Sequence, residues 1–158
     1  AGFLLVEFQN INKTALLFGS TWIVNSINIT AILTMSLLAN LFVSRVKIKS
    51  LKILYALLFL SLLIVFLVPL NVFNFLGYWQ KSFSASILLN IPIFFAGIIF
   101  ITSFRRSQQK NLAFGSNLIG AAAGGLLECL SFLIGVRMLV LVIMGLYLLS
   151  LAFLKRKT

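Results

Sequence analysis

Residues 113–133 read Ala-Phe-Gly-Ser-Asn-Leu-Ile-Gly-Ala-Ala-Ala-Gly-Gly-Leu-Leu-Glu-Cys-Leu-Ser-Phe-Leu. Within this apolar stretch a small or acidic residue recurs at every fourth position, and on an α-helix that spacing places all four on one stripe. Small residues let the backbones of two membrane helices approach closely, and a carboxyl group inside an apolar helix is rare. The sequence therefore predicts a membrane helix that packs through this stripe, against its own chain, a second copy or another subunit. The stripe consists of Ser116, Gly120, Gly124 and Glu128.

The composition of the chain excludes an ordinary soluble domain. Of the 158 residues, 61% are hydrophobic and only 9% are charged, whereas soluble domains carry about 25% charged residues. The mean hydropathy is +1.14. The net charge of +11 comes from basic residues clustered at the ends of apolar runs, a pattern typical of membrane anchoring and of contact with anionic lipid head groups. We predict an integral membrane protein whose partners include membrane lipids and exclude nucleic acid.

Apolar stretches predict an all-α fold, a polytopic membrane helix bundle of about six spans that forms a single domain over residues 1–158. A helical span needs about 20 mostly apolar residues. The first stretch is short and polar, so that it must lie inside the bundle if it spans at all. The six predicted spans are residues 2–18, Thr21–Ser44, Ile53–Leu70, Ser84–Ser103, about Leu112–Gly135, and Met138–Leu154.

The basic residues are divided unequally between the two sides of this predicted topology. The segments 45–52, 104–111 and 155–157 hold four, three and three basic residues, ten in all, and the opposite side holds Lys13, Lys81 and Arg137. Because cytoplasmic loops are enriched in Lys and Arg, we predict that both termini are cytoplasmic. The N-terminus would lie outside if residues 2–18 do not span.

The second predicted span carries an unusual number of polar side chains. An unpaired amide in hydrocarbon costs several kcal/mol, so these groups need partners on other helices or water. Two interpretations stay open, namely hydrogen bonds between helices and a hydrated pathway or ligand cleft. The side chains concerned, which share one face of the helix, are Asn25, Asn28, Ser36 and Asn40.

The two carboxyl groups of the chain are candidates for buried pairing. Glu128 lies about 22 Å along the fifth span at 1.5 Å per residue, near the expected level of Lys13. We predict a Glu128–Lys13 pair, with a protonated Glu128 if no cation is close. Glu7 is expected to hydrogen-bond to Ser36 and Asn40. A proton or cation relay is the alternative interpretation of both carboxyl groups.

Signatures of catalysis are missing from the sequence. The chain has no His and one Cys, Cys129, so neither an internal disulfide nor a metal cluster is expected. No Gly-rich phosphate loop follows a strand, and the hydroxyl nucleophiles lack a base partner. We therefore expect no enzyme activity, no catalytic residue, no metal and no cofactor.

Five segments of the sequence are shared with a known family, namely Ala1–Glu7, Leu16–Asn25, Leu37–Asn40, Ile91–Phe100 and Phe114–Arg137. In this order they resemble the C-terminal transmembrane block of bacterial multi-pass membrane proteins that carry a spermidine-synthase-like domain. The resemblance implies a helical block of the bacterial inner membrane, with Glu7 and Glu128 at acidic positions of the family's motifs. The soluble domain is absent from this sequence and Cys129 stands where the family usually has Tyr, so aminopropyl transfer does not carry over.

The sequence as a whole favours a non-catalytic, all-helical inner-membrane subunit. Its small-residue stripe and polar second span would pack against other membrane protein subunits of a larger complex, for example an energy-converting one. One alternative is a transport element for a cation or polyamine, with Glu7, Glu128 and the second span along the route. The other is the membrane part of a split spermidine-synthase-like enzyme.

Overall fold

The computed structural model describes residues 1–19, 21–46, 48, 50–68 and 78–155. Every described element is an α-helix, which confirms the all-α prediction. The predicted end of the third span at Leu70 and the basic residues Lys47, Lys49, Arg156 and Lys157 lie outside the described residues. The helices are α1 (Gly2–Phe18), α2 (Trp22–Arg45), α3 (Leu51–Leu67), α4 (Tyr78–Arg106), α5 (Lys110–Glu128), α6 (Leu130–Ile134) and α7 (Leu139–Lys155).

The helix ends follow local rules of the backbone. Gly19 has φ +84° and ends α1, a conformation that glycine adopts without steric cost. The Thr21 side chain then accepts a hydrogen bond from the backbone N–H of Val24 at 3.3 Å and caps the start of α2. The fifth predicted span is divided into α5 and α6 at Cys129, whose N–H turns back to the carbonyl of Leu126 at 3.2 Å.

Three helical stretches are long and apolar enough to cross a bilayer, namely Trp22–Arg45, Ser84–Arg106 and Lys110–Ile134, the last of which comprises α5 and α6. Two shorter apolar helices, Leu51–Leu67 and Leu139–Leu154, accompany them. These five correspond to the second to sixth predicted spans. The polar helix α1 is not among them.

The polar helix α1 lies inside the bundle. It packs against α2, α4, α5 and α7, while α4 also packs against α2 and α3. This position agrees with its composition, because a helix with so many amides needs a protein environment on most sides. By contrast, α5 lies at the periphery and Gly124 is its only buried residue among those described. The buried residues of α1 are Leu5, Val6, Gln9, Asn10, Lys13 and Thr14.

Candidate functional site

Three buried asparagines meet where α1, α2 and α4 pack together. Asn10, Asn28 and Asn90 are each at most 1% exposed. Asn10 Nδ2 donates to the carbonyl of Leu89 at 2.6 Å and to Asn90 Oδ1 at 3.3 Å. Asn90 Nδ2 donates in turn to the carbonyl of Ser86 at 2.8 Å and to Asn28 Oδ1 at 3.5 Å. Of the two interpretations of the polar residues of α2, Asn28 fits hydrogen bonding between helices: its Oδ1 accepts from Asn90, its Nδ2 has no partner among the described residues, and the cluster is buried.

A proline lies in α4 close to this cluster. Pro92 lies inside the helix and lacks the N–H that would bond to the carbonyl of Leu88, and its ring disturbs the preceding turn. The carbonyl of Leu89 belongs to that turn and accepts its hydrogen bond from Asn10. An amide of α1 thus supplies a hydrogen-bond donor to the turn of α4 that precedes the proline.

Asn10 and Asn90 were not predicted as site residues from the sequence. The signal was present, since Asn90 precedes a proline inside an apolar helix by two positions and Asn10 lies in the most polar helix. What the sequence could not supply was the contact between α1 and α4, which lie 80 positions apart in the chain at this point.

A second group of polar side chains lines a cleft of about 440 Å³ between α2, α4 and α5. Ser36, Asn40 and Asn117 supply its hydrogen-bonding groups, and none of them has a hydrogen-bond partner within the described ranges. Asn40 and Asn117 are exposed, so that the cleft opens to the side of the bundle. Its apolar lining comes from Phe3, Gly97, Phe100 and Ile101.

The predicted hydrogen bonds of Glu7 to Ser36 and Asn40 are wrong. In the described structure those two side chains line the cleft at the level of Phe3, one helical turn before Glu7 on α1. Glu7 is half-buried. Asn25, the remaining polar residue predicted on α2, is also half-buried. Its backbone N–H donates to the carbonyl of Thr21 at 3.1 Å, and its side chain forms no hydrogen bond among the described residues.

Two basic side chains meet at the C-terminal end of α3. Lys13 Nζ, on a residue only 5% exposed, donates to the carbonyl of Val65 at 2.9 Å. Arg137 Nη2 donates to the carbonyl of Phe66 at 3.4 Å, and its guanidinium lies 5.0 Å from the centre of the Phe66 ring. The last carbonyls of a helix lack partners within the helix, and a cation there is also attracted by the negative end of the helix dipole. Lys13 and Arg137 therefore cap α3.

The predicted pair between Glu128 and Lys13 is wrong, because no ion pair joins them among the described residues and Lys13 contacts α3 instead. The cause is the axial register of α1 and α5. Gly124 packs against Ala1 and Leu4. Lys13 follows Leu4 by nine residues, about 13 Å, whereas Glu128 follows Gly124 by four residues, about 6 Å. Glu128, which is half-buried, ends α5 well before the level of Lys13.

Part of the small-residue stripe forms a contact within the chain. A Cβ atom added at Gly124 would lie 3.0 Å from the backbone Cα and O of Ala1, and one added at Gly120 would lie 3.2 Å from the Ala1 nitrogen. Contacts as short as these are unusual for a real Cβ atom, so glycine at these positions favours the close approach of α1. Ser116, the first residue of the stripe, is exposed.

Two further basic contacts follow the same capping pattern, one at each end of the bundle. At the end that contains Lys13 and Arg137, Lys81 Nζ donates to the carbonyl of Leu17 in the last turn of α1 at 3.1 Å. At the other end, Arg105 Nη1 donates to the carbonyl of Val43 in the last turn of α2 at 3.0 Å. The side chains that the sequence assigned to opposite sides thus lie at opposite ends.

Chemistry that requires a metal cluster has no support in the described part of the chain, where no three His, Cys, Asp or Glu side chains come together. Cys129 is a free, exposed thiol at the junction of α5 and α6. What the arrangement offers is neutral hydrogen bonding, in the closed asparagine cluster and in the open cleft.

Comparisons of the chain with protein-family models, with curated proteins and with solved structures find no match.

Proposed function

We propose that this protein is a non-catalytic helical subunit of a membrane complex and that it packs against a partner subunit at the lateral cleft between α2 and α5. The observation that supports this most directly is the pair of exposed amides, Asn40 and Asn117, in a cleft between apolar helices. An unpaired amide in hydrocarbon costs several kcal/mol. A polar side chain of a neighbouring membrane helix would pair with them and offset that cost.

The large exposed surface of α5 and α6 also supports a contact with a partner subunit. Of the most apolar 18 residues in Lys110–Ile134, which comprises α5 and α6, only 6% are buried. The corresponding share for Ser84–Arg106 in α4 is 50%. The face turned away from α1 carries small residues, Ala122 and Ala123, beside the larger Leu126. Small residues allow a second helix to pack closely, so this surface suits a protein neighbour as well as lipid.

The proposal includes six membrane spans with both termini in the cytoplasm of a bacterial cell. It is supported by the five apolar helices and by the separation of basic side chains to the two ends, with Arg105 and Arg106 at the cytoplasmic end. In this topology α1 crosses within the bundle, shielded by α2, α4 and α7.

The test is purification of the full chain from its own membrane in a mild detergent. We expect a partner chain in fixed stoichiometry with the wild type, and loss of that partner from the double variant Asn40→Leu, Asn117→Leu. The control is Thr34→Val. Thr34 is an exposed polar residue of α2 whose hydroxyl already bonds to the Thr30 carbonyl at 2.7 Å. A wild-type chain that purifies alone, or a partner retained by the double variant, contradicts the proposal.

The same preparation separates the two rival functions. Ion or polyamine flux in liposomes of the isolated chain, lost in Glu128→Gln, would favour a transport element. Co-purification of a methyltransferase-fold chain would favour the membrane part of a split spermidine-synthase-like enzyme, in keeping with the resemblance of the helical block. Neither rival requires Asn40 and Asn117 to hold a partner, so the double variant separates the proposed function from both rivals, and the flux and co-purification results separate the rivals from each other.

A further inference from the structure

Lys13 and Arg137 bring two positive charges to one small cavity at the C-terminal end of α3. The cavity has a volume of about 210 Å³ and lies between α1, the end of α3 and the turn before α7. Both side chains line it. Lys13 is only 5% exposed, so its ammonium group is largely withdrawn from water.

The protein itself offers little negative charge to balance these two cations. The 158 residues include only two acidic side chains, Glu7 and Glu128. No ion pair joins either of them to Lys13 or Arg137 in the described ranges. The end of α3 supplies the equivalent of about −0.5 elementary charge. Lys13 is largely withdrawn from water and Arg137 beside it is exposed. Two full cations against that partial charge leave an excess of about 1.5 positive charges at the cavity, which a bound anion would offset.

The unused donors of the two side chains suit an oxyanion. An ammonium group has three N–H donors and a guanidinium has five, and the described contacts use one of each, on the carbonyls of Val65 and Phe66. Charge-assisted hydrogen bonds from Lys and Arg to phosphate are short and strong. The remaining walls of the cavity are apolar and include Leu16, which is 71% exposed and therefore open to the surroundings.

We propose that this cavity binds a phosphate group between Lys13 and Arg137. The apolar walls and the open side at Leu16 favour a phosphate carried by an anionic phospholipid, whose acyl chains would lie along the outside of the bundle. Only the lipid source rests on the proposed membrane function; binding of a free phosphate ion requires no membrane and no partner subunit.

The experiment uses the full chain purified in a non-ionic detergent, with binding measured by native mass spectrometry and by the shift in thermal unfolding. Phosphatidylglycerol is compared with zwitterionic phosphatidylcholine, and inorganic phosphate is compared with chloride at equal ionic strength. We expect phosphatidylglycerol to raise the unfolding temperature of the wild type and to bind at least tenfold more weakly to Arg137→Gln and to Lys13→Gln. The control Lys52→Gln removes an equal charge at an exposed position of α3 and should bind as the wild type does.

Each outcome has one meaning. A loss with phosphatidylglycerol alone assigns the site to a lipid, and a loss with inorganic phosphate assigns it to a free ion. Equal binding by wild type, Arg137→Gln and Lys13→Gln in both arms overturns the proposal. Because Arg137 is exposed, its variant should fold even if Lys13→Gln does not, and circular dichroism verifies this. Failure here leaves the partner contact at Asn40 and Asn117 untouched, so the two proposals can fail separately.

Discussion

The side-chain nitrogen of Asn10 on α1 lies 2.6 Å from the carbonyl oxygen of Leu89 on α4, in the turn that Pro92 weakens. This bond connects the most polar helix of the chain to the middle of an apolar one. Asn90 extends the connection to α2 through Asn28. Three helices are therefore held in one register by neutral amides, without any buried ion pair among the described residues.

The first prediction is that Asn90→Leu destabilises the bundle by about 1–3 kcal/mol, the cost of leaving buried polar partners unsatisfied. The substitution removes both the acceptor for Asn10 and the donor to Asn28 while nearly preserving volume. The measurement is reversible unfolding in mixed micelles, followed by circular dichroism. A single hydrogen bond between membrane helices contributes only about 0.6 kcal/mol on average, so a larger loss would come from the buried partners that Asn90→Leu leaves unsatisfied. An unchanged or increased stability would show that the amides do not hold the three helices together.

The second prediction concerns the basic caps. Arg105→Met should lower the free energy of unfolding by about 0.3–1 kcal/mol, since it removes a cation and a donor from the last turn of α2. Lys52→Met is the matched control, because Lys52 lies in the first turn of α3, where the positive end of the helix dipole repels a cation. Its removal should be neutral or slightly stabilising. Equal losses in the two variants would mean that net charge, and not the cap, sets the effect.

Most of the helices were predictable because long apolar runs permit few alternatives. The second predicted span, Thr21–Ser44, corresponds to α2 at Trp22–Arg45. Boundaries differ more where polar residues continue a helix, as in α4, which begins six residues before the predicted Ser84. The break at Cys129 was not predicted, because no Gly or Pro marks it there.

The pairing of polar groups was not predictable, for a geometric reason. The prediction of a Glu128–Lys13 pair assumed that all helices begin at the same height along the bundle axis. In the structure Ala1 lies beside Gly120 and Gly124, which are ten and fourteen residues into α5. The start of α1 is therefore displaced along the bundle axis from the start of α5, and Lys13 and Glu128 lie at different heights. Sequence reports which groups must be satisfied in an apolar medium, whereas the axial offsets between helices decide which groups meet.

The third prediction tests the proposed topology with single cysteines in a Cys129→Ala background. Gln80→Cys lies near Lys81 at the proposed outer end, and Gln108→Cys lies between α4 and α5 at the proposed cytoplasmic end. A membrane-impermeant maleimide applied to intact spheroplasts should label position 80 and leave position 108 unlabelled until the membrane is opened. Labelling of both positions in intact spheroplasts, or of position 108 alone, would contradict six spans with cytoplasmic termini.

The fourth prediction separates the packing role of the small-residue stripe from the ordinary helix propensity of its residues. Gly124→Ala should destabilise the bundle by about 1–3 kcal/mol, the usual cost of overpacking, since its new methyl group would lie 3.0 Å from the backbone of Ala1. Gly125→Ala is the neighbouring control. No atom lies within 4 Å of a Cβ at that position, so alanine should stabilise the helix by up to about 1 kcal/mol. Opposite signs in unfolding experiments are expected because the two glycines differ only in which face of α5 they occupy. Stabilisation by both variants would mean that α1 does not pack on α5 in solution.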